Sequence, residues 1–452
     1  MSAKKKSADW QSTVLGKSRQ GYKLVKSFFG NYEEIPQEWD FITFSDIASI
    51  KRGASPRPIE DPRYFGKGRG WIRIGDVSNS YKYLVKTTDY LSELGESKSV
   101  PVNEGDLIMS IAATVGKPII LKMKACIHDG FVTFSNLSSD INTEFLFYLL
   151  TKIENKLKSL GQHGTQSNLN ADLVSRITFA KPTLKEQQKI ASILSNVDSL
   201  INQTQKIIEQ TQRLKKGLMQ KLLTKGIGHT KFKTEELGRK FLRYEIPQHW
   251  NVSKINEFAT VHGRIGWKNL RADEYTDNGP LMLSVWSLVE TAPYGVDYKE
   301  GINRLSEFRY EESPEIKLQD SDVLVAKDGD IGRIGFVKKL PEPATVNSHV
   351  VVVRVFDKSV NPEFLYWYMK AKPFQTYCIA FTSGTTVPLL TQKDLKNTKI
   401  PIPPLPEQEK ISLILSNFAT KIHSLEQKKS KLETLKKGLM QKLLTGQIRV
   451  KV

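Results

Sequence analysis

Two long stretches of the chain, about 186–224 and 407–444, carry apolar side chains with a seven-residue period and contain almost no glycine or proline. In the first stretch, the a positions are Ile190, Val197, Thr204, Thr211 and Leu218, and the d positions are Leu194, Ile201, Ile208, Lys215 and Leu222. In the second stretch, the a positions are Ile411, Phe418, Leu425, Leu432 and Leu439, and the d positions are Leu415, Ile422, Lys429, Lys436 and Leu443. This pattern predicts two coiled-coil helices.

The ends of the two stretches carry helix signals. Glu186 and Glu407 place acids in the first turns, where the helix dipole favours negative charge. A helix of about 39 residues is roughly 58 Å long. Near the C-terminal ends three d positions hold a charged residue, and we expect the helices to separate there: Lys215, Lys429 and Lys436.

The segment before each helix has a different composition, because it is rich in glycine, proline and β-type runs such as 349–356. We therefore expect two globular mixed α/β units, each followed by a long helix. The predicted divisions are 1–31 for a basic N-terminal extension and junction, 32–185 for the first unit, 186–226 for the first helix, 227–243 for a second junction, 244–405 for the second unit, 406–446 for the second helix and 447–452 for a tail.

The helical stretches are copies of each other. The octapeptide GLMQKLLT occurs at 217–224 and again at 438–445, 221 residues further along. Upstream, KEQQKIASILSN at 185–196 returns as PEQEKISLILSN at 406–417. Chance identity over eight residues is negligible, so the chain contains an internal repeat, which must be recognised before the fold is assigned.

The repeat extends to the globular units and to the chain ends. YEEIPQEW at 32–39 returns as YEIPQHW at 244–250. The segment GIGHTKFK at 226–233 resembles both GQIRVKV at 446–452 and GYKLVK at 21–26. The two ends therefore look like halves of one junction, and we expect a nearly circular arrangement with pseudo-twofold symmetry.

The composition indicates the kind of partner that the chain binds and argues against a membrane-spanning or secreted protein. Lys+Arg 67 against Asp+Glu 48 gives a net charge of +19, which favours a polyanionic partner, either nucleic acid or an anionic membrane surface. No apolar run is long enough for a transmembrane helix, and no apolar stretch follows the basic N-terminus as a secretory signal requires. Two cysteines without a paired motif, Cys126 and Cys378, are typical of a reducing compartment, and we expect a cytoplasmic protein.

Taken together, these motifs resemble the specificity (S) subunit of type I restriction–modification systems. The helix-opening EQxKI, the closing GLMQKLLT, the leading YExIPxxW and the GT-rich turn before each helix all match that family, over about residues 20–452. The resemblance implies an α+β fold, in which two globular target-recognition domains alternate with two long helices packed as an antiparallel coiled coil. It further implies that each domain reads one half of a bipartite asymmetric DNA site and that the helices set the spacer between the halves.

The resemblance also implies partners. The chain would bind double-stranded DNA, two methyltransferase (M) subunits and ATP-dependent restriction (R) subunits. It would hold no cofactor of its own, since S-adenosylmethionine, ATP and magnesium belong to the partner subunits. The basic extension of about 20 residues at the N-terminus is a departure that the repeat does not explain.

Two alternatives come from other classes of protein. The first is a self-contained methyltransferase or nuclease, but the chain lacks the Asn/Asp-Pro-Pro-aromatic motif expected of an amino-methyltransferase, and its seven histidines form no metal-binding motif. The absence of a GxxxxGK[ST] loop excludes an ATP-driven motor. Asn361-Pro362-Glu363-Phe364 is interpreted as a helix start, 329–335 as a hairpin and 314–317 as a solvated loop. A coiled-coil scaffold without a DNA role would leave the charge of +19 without a purpose.

Candidate DNA contacts are basic and polar residues in loops rich in glycine and proline, because guanidinium pairs with guanine and amides pair with adenine. The richest stretch is 51–76, and its counterpart in the second unit is 262–275. The candidates there are Lys51, Arg52, Arg57, Lys67, Arg69, Arg73, Arg264, Lys268 and Arg271.

The GT-rich turns supply the remaining candidates, which are Gln166, Asn168, Thr385 and Thr386. Their recurrence in both halves favours local capping, whereas the differences between the two copies favour DNA contact, and both interpretations stay open. No catalytic residue and no metal ligand is predicted.

Overall fold

The structure is a computed structural model that describes residues 18–162, 169–237, 243–263, 274–290, 293–298, 302–382 and 389–452. The chain forms two compact units. Unit 1 combines the residues up to Asn202 with Ser430–Val452, and unit 2 contains Gln203–Lys429. Each long helix therefore contributes residues to both units.

Unit 1 contains two main sheets and two short antiparallel pairs. Its strands are β1 Tyr22–Lys26, β2 Tyr32–Pro36, β3 Asp40–Thr43, β4 Ser49–Arg52, β5 Phe65–Ile72, β6 Tyr83–Leu84, β7 Asp89–Leu91, β8 Val100–Val102, β9 Leu107–Ser110, β10 Pro118–Leu121, β11 Ala125–Ile127, β12 Phe131–Ser135 and β13 Thr178–Lys181. The five-stranded sheet has the order β4-β12-β9-β10-β6, and the four-stranded sheet has the order β7-β5-β11-β8. The short pairs are β1-β2 and β13-β3.

Unit 2 repeats this plan with shorter sheets. Its strands are β14 Phe232–Glu236, β15 Arg243–Pro247, β16 Asn251–Lys254, β17 Ala259–Gly263, β18 Tyr275–Leu283, β19 Arg304–Leu305, β20 Val323–Ala326, β21 Ile334–Phe336, β22 Ala344–Val346, β23 Val350–Val355 and β24 Lys399–Ile402. The sheet orders are β17-β23-β20-β21 and β19-β18-β22, with the pairs β14-β15 and β16-β24. The matching orders confirm the internal repeat.

The helices are α1 Ile74–Ser78, α2 Glu93–Ser97, α3 Thr143–Gln162, α4 Ala171–Ser175, α5 Leu184–Lys225, α6 Ile255–Phe258, α7 Glu307–Glu311, α8 Pro362–Lys370, α9 Lys372–Thr382, α10 Gln392–Asn397 and α11 Leu405–Leu443. The predicted long helices are present as α5 and α11, with 42 and 39 residues. The predicted helix start at Asn361 is also present, because its side chain accepts hydrogen bonds from the backbone N–H groups of Glu363 and Phe364.

The heptad positions of α5 and α11 are buried or half-buried along both helices. They do more than form a seam between the helices, because the ends of the helices complete the cores of the two units. In unit 1, Ile190 and Leu194 of α5 and Leu443 of α11 lie in one core with strands and α3. In unit 2, Leu222 of α5 and Ile411 of α11 do the same.

Within unit 1, the start of α5 and the end of α11 run in opposite directions. The Asp198 carboxylate lies 2.7 Å from the Lys436 ammonium, and Glu186 lies 2.7 Å from Arg449. The expected separation of the helices is wrong at Lys436, because this residue of α11 pairs with Asp198 of α5; its ammonium also lies 4.5 Å from the Tyr81 ring centroid. Lys215, in unit 2, lies 4.9 Å from the ring centroid of Trp367.

The predicted junction of the chain ends is present in unit 1. The Tyr22 hydroxyl of β1 donates a hydrogen bond of 2.7 Å to the carbonyl of Gly446, directly beyond α11. In unit 2 the corresponding connection is continuous, because α5 runs through Gly226 and Gly228 into β14. The same junction is therefore built once from two chain segments and once from a single segment.

Candidate nucleic-acid interface

Three of the predicted arginines in unit 1 lie around the loop that connects β11 with β12. Arg52 donates its Nε–H to the carbonyl of Asp129 at 2.8 Å, and Arg57 forms an ion pair with the Asp129 carboxylate at 3.1 Å. Ser55 donates its hydroxyl to the same carboxylate at 2.8 Å. Gly53 permits this approach, because a Cβ at that position would lie 2.1 Å from the carbonyl oxygen of His128.

Arg73 is the third of these arginines, and it stands at the start of α1, directly after β5. It forms an ion pair with Asp89 at 2.8 Å, and its guanidinium lies 4.0 Å from the Trp71 ring centroid. Burial lowers the pKa of His128, and the charge of Arg73 lowers it further, although Asp129 acts in the opposite direction. His128 is therefore a neutral imidazole near neutral pH, between arginines and a carboxylate.

Asp129 positions two of the three arginines, because its carboxylate pairs with Arg57 and its backbone carbonyl accepts from Arg52. Burial on its own would raise the pKa of Asp129, but the hydrogen bond from Ser55 and the charge of Arg57 bring it below its ordinary value. The Arg57 side chain is 68% exposed, so a DNA phosphate or a guanine edge can reach it. We call Arg52, Arg57, Arg73, His128 and Asp129 the unit 1 surface.

The other predicted residues of this stretch lie elsewhere or are simply exposed. Arg69 is half-buried, where it pairs with Glu96 at 3.6 Å and donates to the carbonyl of Val102. This gives Arg69 a local structural role. Lys51 and Lys67 are exposed. The remaining predicted contacts lie outside the described residues and stay predictions: Gln166, Asn168, Arg264, Lys268, Arg271, Thr385 and Thr386.

Unit 2 has a cleft of about 790 Å³ at the corresponding place. Trp286 stands at its edge with 83% of its surface exposed, which is unusual for so large an apolar side chain. The residues that line the cleft with Trp286 are Ser284, Val285, Asp328, Gly329, Asp330, Arg333, Asn347, His349 and Leu389. We call this the unit 2 cleft.

Polar side chains of the cleft are held by short contacts. Arg333 pairs with Asp330 at 2.5 Å and donates to the carbonyl of Leu288, and its guanidinium lies 5.9 Å from the Trp286 ring centroid. His349 lies 2.5 Å from the Asp328 carboxylate. Arg333 and the two aspartates belong to the loop between β20 and β21, which confirms the hairpin interpretation of 329–335.

Strand pairing shows that the unit 1 surface and the unit 2 cleft are equivalent. In unit 1, β5 and β11 are parallel, and Ile72 pairs with Ile127. In unit 2, β18 and β22 are parallel, and Leu283 pairs with Val346. Arg73 and His128 therefore follow these strands in unit 1, where Ser284 and Asn347 follow them in unit 2.

Sequence reasoning missed the residues of the cleft. Trp286 lies in a short apolar run that reads as core, and only the fold shows that its ring faces outward. Asn347 and His349 are isolated polar residues between two buried strands. A signal existed in the repeat, since aligning the two halves places these residues opposite the region of His128, but the strand register was needed to see it.

The repeated motifs themselves have a structural role at the start of each long helix. Gln187 of α5 is fully buried, accepts from the backbone N–H of Asn142 at 2.9 Å and donates to the carbonyls of Asp140 and Pro182. Gln408 of α11 makes the same three bonds, accepting from Asn361 at 2.8 Å.

The preceding glutamate in each copy meets the tryptophan of the leading motif. Trp39 donates its indole N–H to Glu186 at 3.2 Å, and Trp250 donates to Glu407 at 3.1 Å. The helix-opening motif and the leading motif are therefore parts of one joint between a globular unit and its helix.

The sequence model of the type I restriction modification DNA specificity domain matches the chain twice, over residues 36–213 and 247–434. The chain belongs to this family. The two matches fall on the two copies of the repeat, so each match contains one globular unit and most of the long helix that follows it. As a DNA specificity subunit of a type I system, the chain is a recognition component and not a self-contained methyltransferase or nuclease.

Relatives of this specificity chain are similar over nearly their whole length. The MjaVIII specificity subunit of Methanocaldococcus jannaschii is 28% identical over 429 residues, which cover 92% of this chain and 94% of the relative. The EcoBI specificity subunit of Escherichia coli is 21% identical and covers 86% of this chain and 81% of the relative.

Solved structures share the fold of this specificity chain. The S subunit of a type I restriction–modification system from M. genitalium aligns with a TM-score of 0.56 at 14% identity, covering 90% of this chain and 96% of that one. A chain from a study of complex assembly and conformational transition of the type I R-M system aligns with a TM-score of 0.54 at 16% identity, covering 92% and 99%. Among the helices described for this chain, none is long and apolar enough to cross a membrane.

Proposed function

We propose that this specificity chain reads one asymmetric bipartite DNA site, with unit 1 reading one half and unit 2 reading the other. The observation that carries the proposal is the contrast between a shared framework and different outer residues. The strand orders and the helix joints are the same in both units, whereas Arg73 and His128 are replaced by Ser284 and Asn347 at the ends of equivalent strands. Two readers with different side chains recognise two different half-sites.

The chemistry of the two surfaces differs in kind. Arginines such as Arg57 and Arg73 can donate to guanine edges or bind phosphates, and they suit a half-site that contains guanine. The cleft of unit 2 offers the amide of Asn347, which matches adenine, and the apolar face of Trp286, which suits a thymine methyl group. The net charge of +19 supplies affinity for the DNA backbone independent of sequence.

Partners would supply the chemistry. We propose that two methyltransferase subunits and ATP-dependent restriction subunits assemble with this chain, and that they hold the S-adenosylmethionine, ATP and magnesium. The long helices α5 and α11 would set the number of base pairs between the half-sites, since each contributes residues to both units. This chain would then recognise the DNA site, and the partner subunits would carry out methylation or cleavage.

The test is a methylation map of a host genome in which the chain is co-expressed with its methyltransferase subunit. We expect methylated adenines in one motif of two short parts at constant spacing. Replacing residues 32–183, which end just before α5, with the corresponding segment of another specificity subunit should change one part and leave the other part and the spacing unchanged.

Two outcomes would contradict the proposal. Methylation by this chain without any partner would show that it is an enzyme in its own right. A replacement of 32–183 that altered both parts of the motif would show that the two units do not read separate half-sites. Variants Arg57→Ala and Trp286→Ala then connect each part of the motif with its surface.

A further inference from the structure

The joint at the start of α5 in unit 1 contains a guanidinium between two carboxylates. Arg449, in the tail beyond α11, donates its Nε–H to Glu186 at 2.7 Å and an Nη2–H to Glu38 at 3.1 Å. Glu186 is almost fully buried and also accepts from the indole of Trp39. Because a buried carboxylate is costly without a cation, Arg449 stabilises this joint.

The joint at the start of α11 in unit 2 keeps the glutamate but not the arginine. Glu407 accepts from the indole of Trp250 at 3.1 Å and from the backbone N–H of Ile227 at 2.9 Å. Its Oε1 also lies 2.7 Å from Nε2 of His229, and the side chains of Glu407 and His229 are only 12% and 18% exposed. The imidazole rings of His229 and His249 are 4.5 Å apart.

The two histidines take the places of the two charged residues of unit 1. His229 is the third residue after Gly226, as Arg449 is the third after Gly446. His249 precedes Trp250, as Glu38 precedes Trp39. The chain has seven histidines in all, so two changes to histidine at one joint need a common explanation.

We propose that His229, His249 and Glu407 form a binding site for a divalent transition-metal ion, with Zn²⁺ as the natural occupant. Two imidazoles and one carboxylate are a donor set that zinc accepts, with its fourth position open to water. The ion would supply the positive charge that Arg449 supplies in unit 1. Ile227 and Trp250 would keep their hydrogen bonds to Glu407, which orient the carboxylate in the way that outer partners orient metal ligands.

The geometry requires only a small movement. One potential ligand atom from each of the three residues lies within 4.8 Å of the other two. A tetrahedral zinc ion with ligands at about 2.1 Å keeps them roughly 3.4 Å apart. The 2.7 Å contact between Glu407 Oε1 and His229 Nε2 must therefore open by roughly 0.7 Å, and the most distant pair of ligand atoms must close by about 1.4 Å at most. His249 is exposed and can make that movement by rotation of its side chain.

The bound ion would cross-link three segments that are far apart in sequence. Glu407 belongs to the first turn of α11, His229 to the segment beyond α5, and His249 to the loop between β15 and β16. A ligand that binds only the folded state raises its stability in proportion to the logarithm of its concentration. The metal would therefore stabilise the joint of unit 2 and leave unit 1, where Arg449 is covalently present, unaffected.

The experiment titrates the full chain, freed of metal by a chelator, with ZnCl₂ in a calorimeter and follows its thermal unfolding. We expect saturation at one ion per chain and a higher unfolding temperature. The variant His249→Ala should bind on the order of 100-fold more weakly, since one of three protein ligands is lost. Because His249 is exposed, this variant should fold like the wild-type chain without metal.

His423→Ala is the matched control, because His423 is also on α11 and its imidazole hydrogen-bonds to the exposed Gln427, away from the proposed ligands. It should bind zinc like the wild-type chain. Co²⁺ in place of Zn²⁺ should give the visible absorption of a tetrahedral site in the wild-type chain and not in His249→Ala. No saturable binding by the wild-type chain, or equal binding by His249→Ala, would overturn the proposal.

A double variant, His229→Arg with His249→Glu, rebuilds the side chains of the unit 1 joint in unit 2. We expect it to lose zinc binding and to unfold, without metal, at a temperature at least as high as that of the metal-free wild-type chain. If this variant still bound zinc at one ion per chain, the site would lie elsewhere. Because none of these measurements uses DNA, their result is independent of the proposed half-site reading.

Discussion

Unit 1 and unit 2 agree where the globular part meets its long helix and differ where equivalent strands end. Gln187 and Gln408 make the same three hydrogen bonds, within 0.1 Å of each other in the first of them. At the strand ends, by contrast, a surface rich in arginine in unit 1 corresponds to a cleft with an exposed tryptophan in unit 2. The buried Gln187 and Gln408 must keep their hydrogen-bond partners, so this glutamine and the glutamate before it are the same in both units, whereas an exposed surface can change without loss of stability.

A second difference lies on the long helices themselves. Lys436 of α11 pairs with the buried Asp198 in unit 1. Lys215 of α5 has the matching position in unit 2, but Ala419 is found there in place of the aspartate, and no described carboxylate forms an ion pair with Lys215. The same lysine is therefore part of an ion pair in one unit and an unpaired cation on a tryptophan ring in the other.

The largest effects are expected at the shared joint. Gln187→Ala and Gln408→Ala each leave one N–H and two carbonyls without their partner, and the carbonyl of Pro182 or Pro403 among them is buried, which should lower the free energy of unfolding by about 2–3 kcal/mol. Urea unfolding of the full chain measures the change. Gln205→Ala, which removes only an exposed contact with Glu209, is the control and should change stability by less than about 0.5 kcal/mol. A large loss in only one of the two glutamine variants would show that the joints are not equivalent.

The two helix lysines should respond in opposite directions. Lys436→Met leaves the buried Asp198 carboxylate without its cation and should destabilise the chain by about 2–3 kcal/mol. Lys215→Met removes a buried cation that has no carboxylate partner among the described residues and should stabilise the chain by about 1 kcal/mol. Burial and the nearby Lys370 lower the pKa of Lys215 to about 8. Its ammonium therefore costs stability below pH 8, and the cost disappears as the pH rises toward the unfolded value near 10.4.

Unfolding temperatures between pH 7 and pH 10 test this sign. The wild-type chain should lose less stability over that range than Lys215→Met, because only the wild-type chain gains from the deprotonation of Lys215. If Lys215→Met destabilised the chain at pH 7, the contact between the Lys215 ammonium and the Trp367 ring would have to outweigh the cost of burying that ammonium, which contradicts this prediction.

The DNA surfaces should give smaller and separate effects. Arg57→Ala in unit 1 and Trp286→Ala in unit 2 should each weaken DNA binding by about 1–2 kcal/mol in the assembled methyltransferase complex. Each should relax the sequence requirement in only one half of the site, as read from competition with single-base variants. Arg176→Ala is the control. Arg176 is an exposed residue directly after α4 that pairs with Asp172, and its replacement should leave the affinity for DNA unchanged.

The smallest expected effect is a change in how the stability of the chain depends on pH in mild acid. Because burial holds the pKa of His128 below its ordinary value of 6.5, the unfolded chain takes up a proton first as the pH falls below that value. The contribution of His128 to stability is complete above pH 6.5 and decreases as the pH falls toward its lowered pKa. His128→Asn, which copies Asn347 of unit 2, should make urea unfolding less sensitive between pH 7 and pH 5.5. If the unfolding free energy of His128→Asn depended on pH as strongly as that of the wild-type chain, another residue would be responsible for the pH dependence.

Much of the architecture could be predicted before the fold was known. The heptad stretches 186–224 and 407–444 lie within two residues of α5 and α11 at all four ends, and the repeated motifs lie at both joints. The predicted helix start at Asn361 and the junction of the chain ends are confirmed in the structure. The predicted cluster of arginines is only partly brought together, because Arg52, Arg57 and Arg73 share one surface while Arg69 binds Glu96.

The duplication, the long helices and the excess of positive charge could be read from the amino-acid sequence, because they depend on periodicity and composition along the chain. Tertiary structure alone decided which side chains meet. His229, His249 and Glu407 are up to 178 residues apart and have no motif spacing, and only the joint brings them within 4.8 Å. Trp286 reads as core in the sequence, and its exposure follows from the turn after β18. Contacts of this kind depend on strand register and helix packing, which no local pattern specifies.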